Sequence, residues 1–351
     1  MQRKYLAVVL SLTMAFSAAS PVMASSDEVQ VMEEASEDTL EENSVSDEIE
    51  VSLSSEDDVE MDADEEQDDS ETAQFATTEE IFDDGSENAL AVGGGEITDD
   101  VWTPLENESS ISFKYDESNK TLYFKCSGTA EMPSNNQSGS TAQWALALKN
   151  KTKEVEKVVI GEGITKIGQN NFDNTYSDWP NLKEVDLAST VTTIGNASFC
   201  DVAALQTINL NDVEKIEQGG LAGTGIEQAV FDKEQVEIGG SAFESCTNLK
   251  SVSVKDIINW GDASFSGCRS LTTFLCEKPI EELPRQTFKR CVALSTCAIT
   301  GVKKVGASAF ASCASLTSFD FSNVTILNGM AFQGAGLTKV AFTTKDLTLA
   351  Y

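Results

Sequence analysis

A phenylalanine returns along this chain at nearly constant intervals: Phe172, Phe199, Phe243, Phe265, Phe288, Phe310 and Phe332, with Leu221 filling the one gap. Successive steps are 27, 22, 22, 22, 23, 22 and 22 residues. A unit this short cannot bury an apolar face by itself. It must stack against copies of itself, which makes a solenoid with nearest-neighbour contacts. Neighbouring strands in such a stack sit about 4.8 Å apart, so eight units form a spine of roughly 40 Å. An open-ended stack of this kind offers long surfaces and points to binding before catalysis.

The stretch Val236 to Val254 is the clearest unit. Leu249, Val252 and Val254 follow a Leu-x-x-Leu-x-Leu pattern, and Val252 and Val254 alternate with Ser251 and Ser253, as in a short strand with one apolar face. Ala242, Phe243 and Cys246 are spaced i, i+1, i+4, which predicts one helical turn with a single apolar face. Gly239 follows the inward Ile238, where a small residue permits close approach or positive φ. The frame recurs at Ile167-Gly168, Ile194-Gly195, Trp260-Gly261 and Val305-Gly306. It recurs with a substitution after the apolar residue at Ile216-Glu217, Leu283-Pro284 and Leu327-Asn328. An earlier strand, Val155-x-x-Val158-x-Ile160, starts the stack, and the first unit carries an insertion around Tyr176 to Pro180.

These units resemble the BspA-like leucine-rich repeats, whose pattern is Val-x-x-Ile-Gly-x-x-Ala-Phe-x-x-Cys-x-x-Leu-x-x-Val-x-Leu. The match runs from about Val155 to Phe342 in eight units. The resemblance implies an α/β solenoid, a leucine-rich repeat stack of about eight units with a β-rich amino-terminal cap; composition adds a disordered acidic segment before it. The departures, Leu221 for Phe, Glu217, Pro284 and Asn328 for Gly, Val202 and Thr224 for Cys, predict local loosening within the same fold. The expected domains are a signal peptide (1–24), an acidic spacer (25–95), a cap region (96–154) and the repeats (155–351). Residues Thr343 to Tyr351 read as the start of another unit without a polar cap. Either the chain is a truncated product, or its last unit frays or pairs with another copy.

The flanks set the expected location. Arg3 and Lys4, the apolar run Leu6 to Phe16 and the small residues at Val22-Met23-Ala24 have the order of a secretory signal peptide. The run is too short to span a bilayer, which takes about 20 apolar residues, and nothing after it in the mature chain is long and apolar enough. The chain carries a formal charge of −34, and Ser25 to Asn88 alone holds 27 Asp or Glu and no Lys or Arg. Such a segment cannot bury enough apolar surface to offset its chain entropy and is expected to be a disordered spacer. Asp62, Asp64, Glu66 and Asp68 alternate somewhat like a calcium loop, but no glycine or spaced glutamate completes it. With no basic stripe, nucleic acid is not an expected partner.

Histidine is absent, which removes Ser-His and Cys-His nucleophile pairs and histidine metal ligands. No catalytic residue, metal site or cofactor is expected, and the chain is not read as an enzyme. Cys246, Cys268, Cys291 and Cys313 share one repeat slot, and Cys276 and Cys297 fall at inward strand positions. Parallel Cβ vectors at equivalent positions hold sulfurs apart, so these read as core thiols. Trp260 reads as core, Trp102 and Trp144 as parts of the cap. Trp179 lies in the insertion, where the bland reading is again structural.

Residues between the inward strand positions are expected to line one continuous exposed sheet. The candidate contact residues are Glu184, Asp186, Ser251, Ser253, Thr273, Glu277, Thr296, Thr300, Ser318 and Asp320. This face is polar, rich in hydroxyls and weakly acidic. The expected role is a secreted or surface-displayed bacterial protein that binds a protein or glycan on host or microbial surfaces, in keeping with the family resemblance. The alternative is a structural component of the cell envelope without a foreign ligand.

Overall fold

The computed structural model describes residues 101–135, 142–175, 178–343 and 347–350. The expected signal peptide, the whole acidic spacer and the calcium-like pattern lie outside the described residues. The amino-terminal part is β1 (Thr103–Leu105), β2 (Glu108–Asp116), β3 (Thr121–Cys126) and the two-residue β4 (Ala130–Glu131). On β2, Ile111, Phe113 and Tyr115 are buried and alternate with half-buried Ser112, Lys114 and Asp116, the period of a strand with one wet face. A run of tight 3₁₀ turns follows over Gln143–Glu154, kinked at Lys149.

The coils then begin. They contribute β5 (Lys157–Ile160) and β6 (Ile164–Ile167), β7 (Glu184–Leu187) and β8 (Thr193–Ile194), β9 (Thr207–Ile208) and β10 (Lys215–Ile216), and β11 (Gln228–Val230) and β12 (Val236–Ile238). They continue with β13 (Ser251–Val254) and β14 (Ile257–Trp260), β15 (Thr273–Cys276) and β16 (Glu282–Leu283), and β17 (Thr296–Ala298) and β18 (Lys304–Val305), before β19 (Ile326–Asn328) and β20 (Thr348–Ala350). One side of the stack carries β1-β2-β3-β5-β7-β9 and then β11-β13-β15-β17. The other carries β4-β6-β8-β10-β12-β14 and then β16-β18-β19-β20. Strands of successive coils pair in parallel, and β3 joins β5 in parallel, so the antiparallel β2–β3 hairpin extends the first coil's sheet. β20 pairs with β19 in parallel, so residues 348–350 continue the ladder.

The phenylalanine seam is the core of the stack. Phe172 and Phe199 stack at 5.0 Å and 2°, Phe243 and Phe265 at 5.1 Å and 8°, and Phe310 and Phe332 at 5.0 Å and 10°. Phe265, Phe288 and Phe310 continue it at 5.7 and 5.3 Å. Leu221 is fully buried in the gap. At the amino-terminal end, Trp144 and Trp179 both pack on Phe172, and Trp144 Nε1 donates to Asn171 Oδ1 at 2.7 Å. Trp179, in the described part of the insertion, is buried and packs into the core.

The segment around each phenylalanine is not the helical turn its spacing predicts. It is a chain of turns in which the residues two before and two after the ring have left-handed backbone: Ser241 and Ser245, Ala263 and Gly267, Ser308 and Ser312. This conformation aims alternate N–H groups at the next coil. Ser241, Phe243 and Ser245 donate to the carbonyls of Asp262, Ser264 and Ser266 at 2.8, 2.8 and 2.7 Å. The same three bonds recur from Ala263, Phe265 and Gly267 to Arg285, Thr287 and Lys289. A helix satisfies its backbone internally, so it has no donors to offer a neighbour. Stacking at a strand-like spacing selects the turns instead, and the result is a β-solenoid of about eight coils.

The eight cysteines are all free thiols. The repeat-slot cysteines also serve the stack. Cys268, Cys291 and Cys313 donate through Sγ to the carbonyls of Phe243, Phe265 and Phe288 in the preceding coil at 3.1, 3.1 and 3.0 Å. Where Thr224 takes the slot, its Oγ1 donates to the Leu221 carbonyl at 2.8 Å.

Candidate functional site

The expected continuous sheet is divided between β9 and β11. One local irregularity lies at the break: the chain runs from Leu221 to Ile226 by a route one residue shorter than from Phe243 to Leu249. On the other side of β9, Asn209 ties the strand back to β7, donating to the Leu187 carbonyl and accepting from the Leu187 N–H at 2.7 Å each. The ten candidate residues therefore fall into separate groups.

Glu184 and Asp186 lie on β7, before the break, and both are engaged by Lys157 Nζ, at 2.8 and 2.5 Å. The two carboxylates, Asp186 foremost, hold the Lys157 ammonium well above the usual lysine range. Next to them Glu156 bridges Lys120 and Lys183 at 2.5 and 2.9 Å, and these bonds bring its carboxyl down to about 2. The acidic character of this end is spent within the molecule.

Ser251, Ser253, Thr273 and Thr296 come together after the break, on the four-stranded parallel sheet β11-β13-β15-β17. Its register sets two outward rows. One is Gln228, Ser251, Thr273, Thr296, and the other is Val230, Ser253, Leu275, Ala298. Between them Ala229, Val252 and Phe274 point into the core. Neighbours within a row stand about 4.8 Å apart. The first row is an amide and three hydroxyls. The second alternates apolar and small side chains, with Val230 and Leu275 each 40% exposed. No charge interrupts either row.

Glu277 and Thr300 sit just beyond the ends of β15 and β17, both exposed, with the Glu277 N–H donating to the Val254 carbonyl at 3.2 Å. Ser318 and Asp320 are exposed in a segment that forms no strand. Asp320 accepts from the Ser322 N–H at 2.9 Å, and bonds from Ser322, its hydroxyl foremost, hold the carboxyl below the usual aspartate range. Sequence reasoning missed Val230, Leu275 and Gln228. The signal was available, since alternation places them outward and a large apolar residue in an outward slot is a feature to explain.

The geometry defines a class: a stacked repeat protein with a close-packed interior and an uncharged, partly apolar sheet open to solvent. A family model described as the BspA type leucine-rich repeat region matches in six copies over residues 146–259, 173–295 and 236–349, more than half of the sequence. The chain belongs to this family. Among solved structures it is similar to a leucine-rich repeat protein of T. pallidum, with 19% identity, 61% of this chain and 90% of that one covered, and a TM-score of 0.43. It is also similar to a leucine-rich cell surface protein of Faecalibacterium prausnitzii, with 17% identity, 69% and 96% covered, and a TM-score of 0.30. A leucine-rich repeat protein of Eubacterium ventriosum matches at 16% identity, 66% and 95% covered, and a TM-score of 0.28. No curated protein matches the chain. Among the described residues no helix is long and apolar enough to cross a membrane, and no three acidic or cysteine side chains are grouped to hold a metal ion.

Proposed function

We propose that this chain is a secreted or surface-displayed binding protein, adhesive in role, and that its contact face is the sheet β11-β13-β15-β17. The observation that carries the reading is the pairing of a hydroxyl row with a row containing exposed Val230 and Leu275, on strands fixed from behind by the phenylalanine seam. Exposed apolar side chains beside hydroxyls on a rigid surface suit a protein partner, since the apolar groups give contact area and the hydroxyls fix orientation. Membership of a repeat family whose stacks present extended surfaces supports the same reading. Export rests on the leader-like Met1 to Ala24 and the acidic Ser25 to Asn88, which would hold the repeats away from the cell.

The test is saturable binding of the purified full chain to immobilised host matrix proteins and to bacterial surface material. Leu275→Asp, or Thr273→Ala with Thr296→Ala, should weaken binding about tenfold or more, while Glu184→Gln leaves it unchanged. Equal binding by all variants would move the site elsewhere. Binding only to glycan would replace the protein partner. No binding to any surface, with the chain retained in the cell envelope, would favour the structural reading.

A further inference from the structure

The second side of the solenoid is also broken, between β14 and β16, and three irregularities meet there. Pro284 occupies the slot that is glycine in five other coils. In four of them the Gly195, Gly239, Gly261 and Gly306 N–H groups donate to the Ile167, Ile216, Ile238 and Leu283 carbonyls at 2.8 to 3.0 Å. Proline has no N–H to give the Trp260 carbonyl. The slot is also tight. A Cβ at Gly261 or Gly306 would come within 2.2 or 2.5 Å of the preceding coil's backbone, so a proline ring holds the coils apart. The coil from Phe265 to Phe288 is one residue longer than its neighbours, with Pro279 in the extra length. Opposite it, β14 bulges at Ile258, which the register with β12 leaves unpaired.

The outcome is a cleft of about 800 Å³ in which two strand edges face each other without pairing to one another. Trp260, Ile257, Pro279 and Ile280 form apolar walls, with Ile258 at the rim, 54% exposed. The Trp260 ring is fixed from the core side, stacking on Phe274 at 5.5 Å and donating Nε1 to Ser264 Oγ at 2.6 Å. Two of the flanking carboxylates are paired where they stand, Glu281 with Lys303 at 2.7 Å and Glu282 with Lys304 at 2.6 Å, and Asp262 Oδ1 accepts from the Arg285 backbone N–H at 2.9 Å. The cleft therefore presents backbone donors and acceptors at strand spacing and apolar walls, with most of its carboxylates paired to lysines.

We propose that this cleft binds an extended peptide segment of a partner protein, which adds as a strand to the open edge of β14 and seats an apolar side chain against Trp260 and Pro279. An unpaired edge offers the complementary groups of a peptide backbone, and an adjoining apolar pocket reads alternate side chains. The site is independent of the sheet β11-β13-β15-β17 and would stand if that face bound nothing.

The experiment selects peptides of about twelve residues, displayed on phage, against the full chain and measures the synthetic winners by fluorescence polarisation. They should bind one to one and carry a bulky apolar residue. Backbone N-methylation at alternate residues, which removes N–H donors and leaves side chains alone, should abolish binding. Pro284→Gly restores the glycine of the other coils and should close the ladder, slowing amide exchange across β14 and β16 and weakening the peptides about tenfold or more. Ile258→Asp, at an exposed position that folding does not need, should weaken them comparably. Failure to enrich any peptide overturns the proposal. So do peptides that bind equally after N-methylation or to both variants, or occupation of the cleft by oligosaccharides in an array when no peptide binds.

Discussion

The turn side of this solenoid and its two strand sides are built under different rules. On the turn side every coil from Phe172 to Phe310 repeats the same arrangement, with a buried ring or leucine and backbone bonds running to the next coil, and Phe332 ends the line with a buried ring. The strand sides are each interrupted, one between β9 and β11 and the other between β14 and β16. The interruptions fall at different coils, so wherever one strand ladder is open the turn side and the other ladder still hold the neighbours. A stack tied along three lines tolerates a gap in one. The repeated line of contact makes the fold, and the gaps leave surface and backbone for other uses.

That contrast is broken most directly by truncation on each side. Phe243→Ala removes a fully buried ring from the seam and should cost about 3–5 kcal/mol. Leu275→Ala, on the exposed sheet, should cost no more than about 1 kcal/mol. Denaturant unfolding followed with amide exchange measures both. The Phe243 lesion should also be local, raising exchange in the coils on either side before it is felt near Phe332. Equal costs at the two positions would mean that the strand sides carry as much of the stack as the seam.

Much of this was legible in the sequence because stacking imposes a period. The ring positions, the inward strand residues and the core thiols all follow from a step near 22. What the period conceals is anything that depends on the next coil. Ala242, Phe243 and Cys246 have helical spacing, yet their backbone is set by carbonyls of residues 262 to 266, which no local pattern reports. The candidate site was half legible for the same reason. Alternation put Ser251, Thr273 and Thr296 outward correctly, but the removal of Glu184 and Asp186 by Lys157 is a contact across 27 residues or more. Pro284 was visible as a departure, and its effect appears only when the missing N–H is set against the Trp260 carbonyl.

The thiols sharpen the contrast on the turn side. Burial pushes the Cys313 thiol up to about 12 and the Cys268 thiol well above its usual range. In the unfolded chain the same thiols titrate near 9. Below pH 9 they are protonated in both states and stability is full. As pH rises past 9 the unfolded chain loses protons that the folded chain keeps, so stability falls between about 9 and 12. Each such thiol contributes a slope of about 1.4 kcal/mol per pH unit. Cys268→Ala should flatten the alkaline decline by that amount, whatever it does to stability at neutral pH. An unchanged slope would mean that the thiol is not enclosed by the stack. Denaturation under reducing conditions at pH 8, 9 and 10 measures it.

The smallest effect is the most discriminating, because one chemical change should have opposite signs on the two sides. Ser245 is exposed and holds φ at 59°, in a slot where Gly223, Gly267 and Gly334 stand in other coils. A side chain in this conformation costs roughly 1–2 kcal/mol, and glycine gives back roughly 0.5–1 kcal/mol through the greater freedom of the unfolded chain. Ser245→Gly should therefore stabilise by up to about 1 kcal/mol. Ser253 is in the extended backbone of β13, where no such strain exists to relieve. Ser253→Gly should destabilise by about 0.5–1 kcal/mol. Paired denaturation curves decide it. If both substitutions destabilise, the left-handed turns are not strained in this stack, and the bonds to the following coil have removed the ordinary penalty for a side chain there.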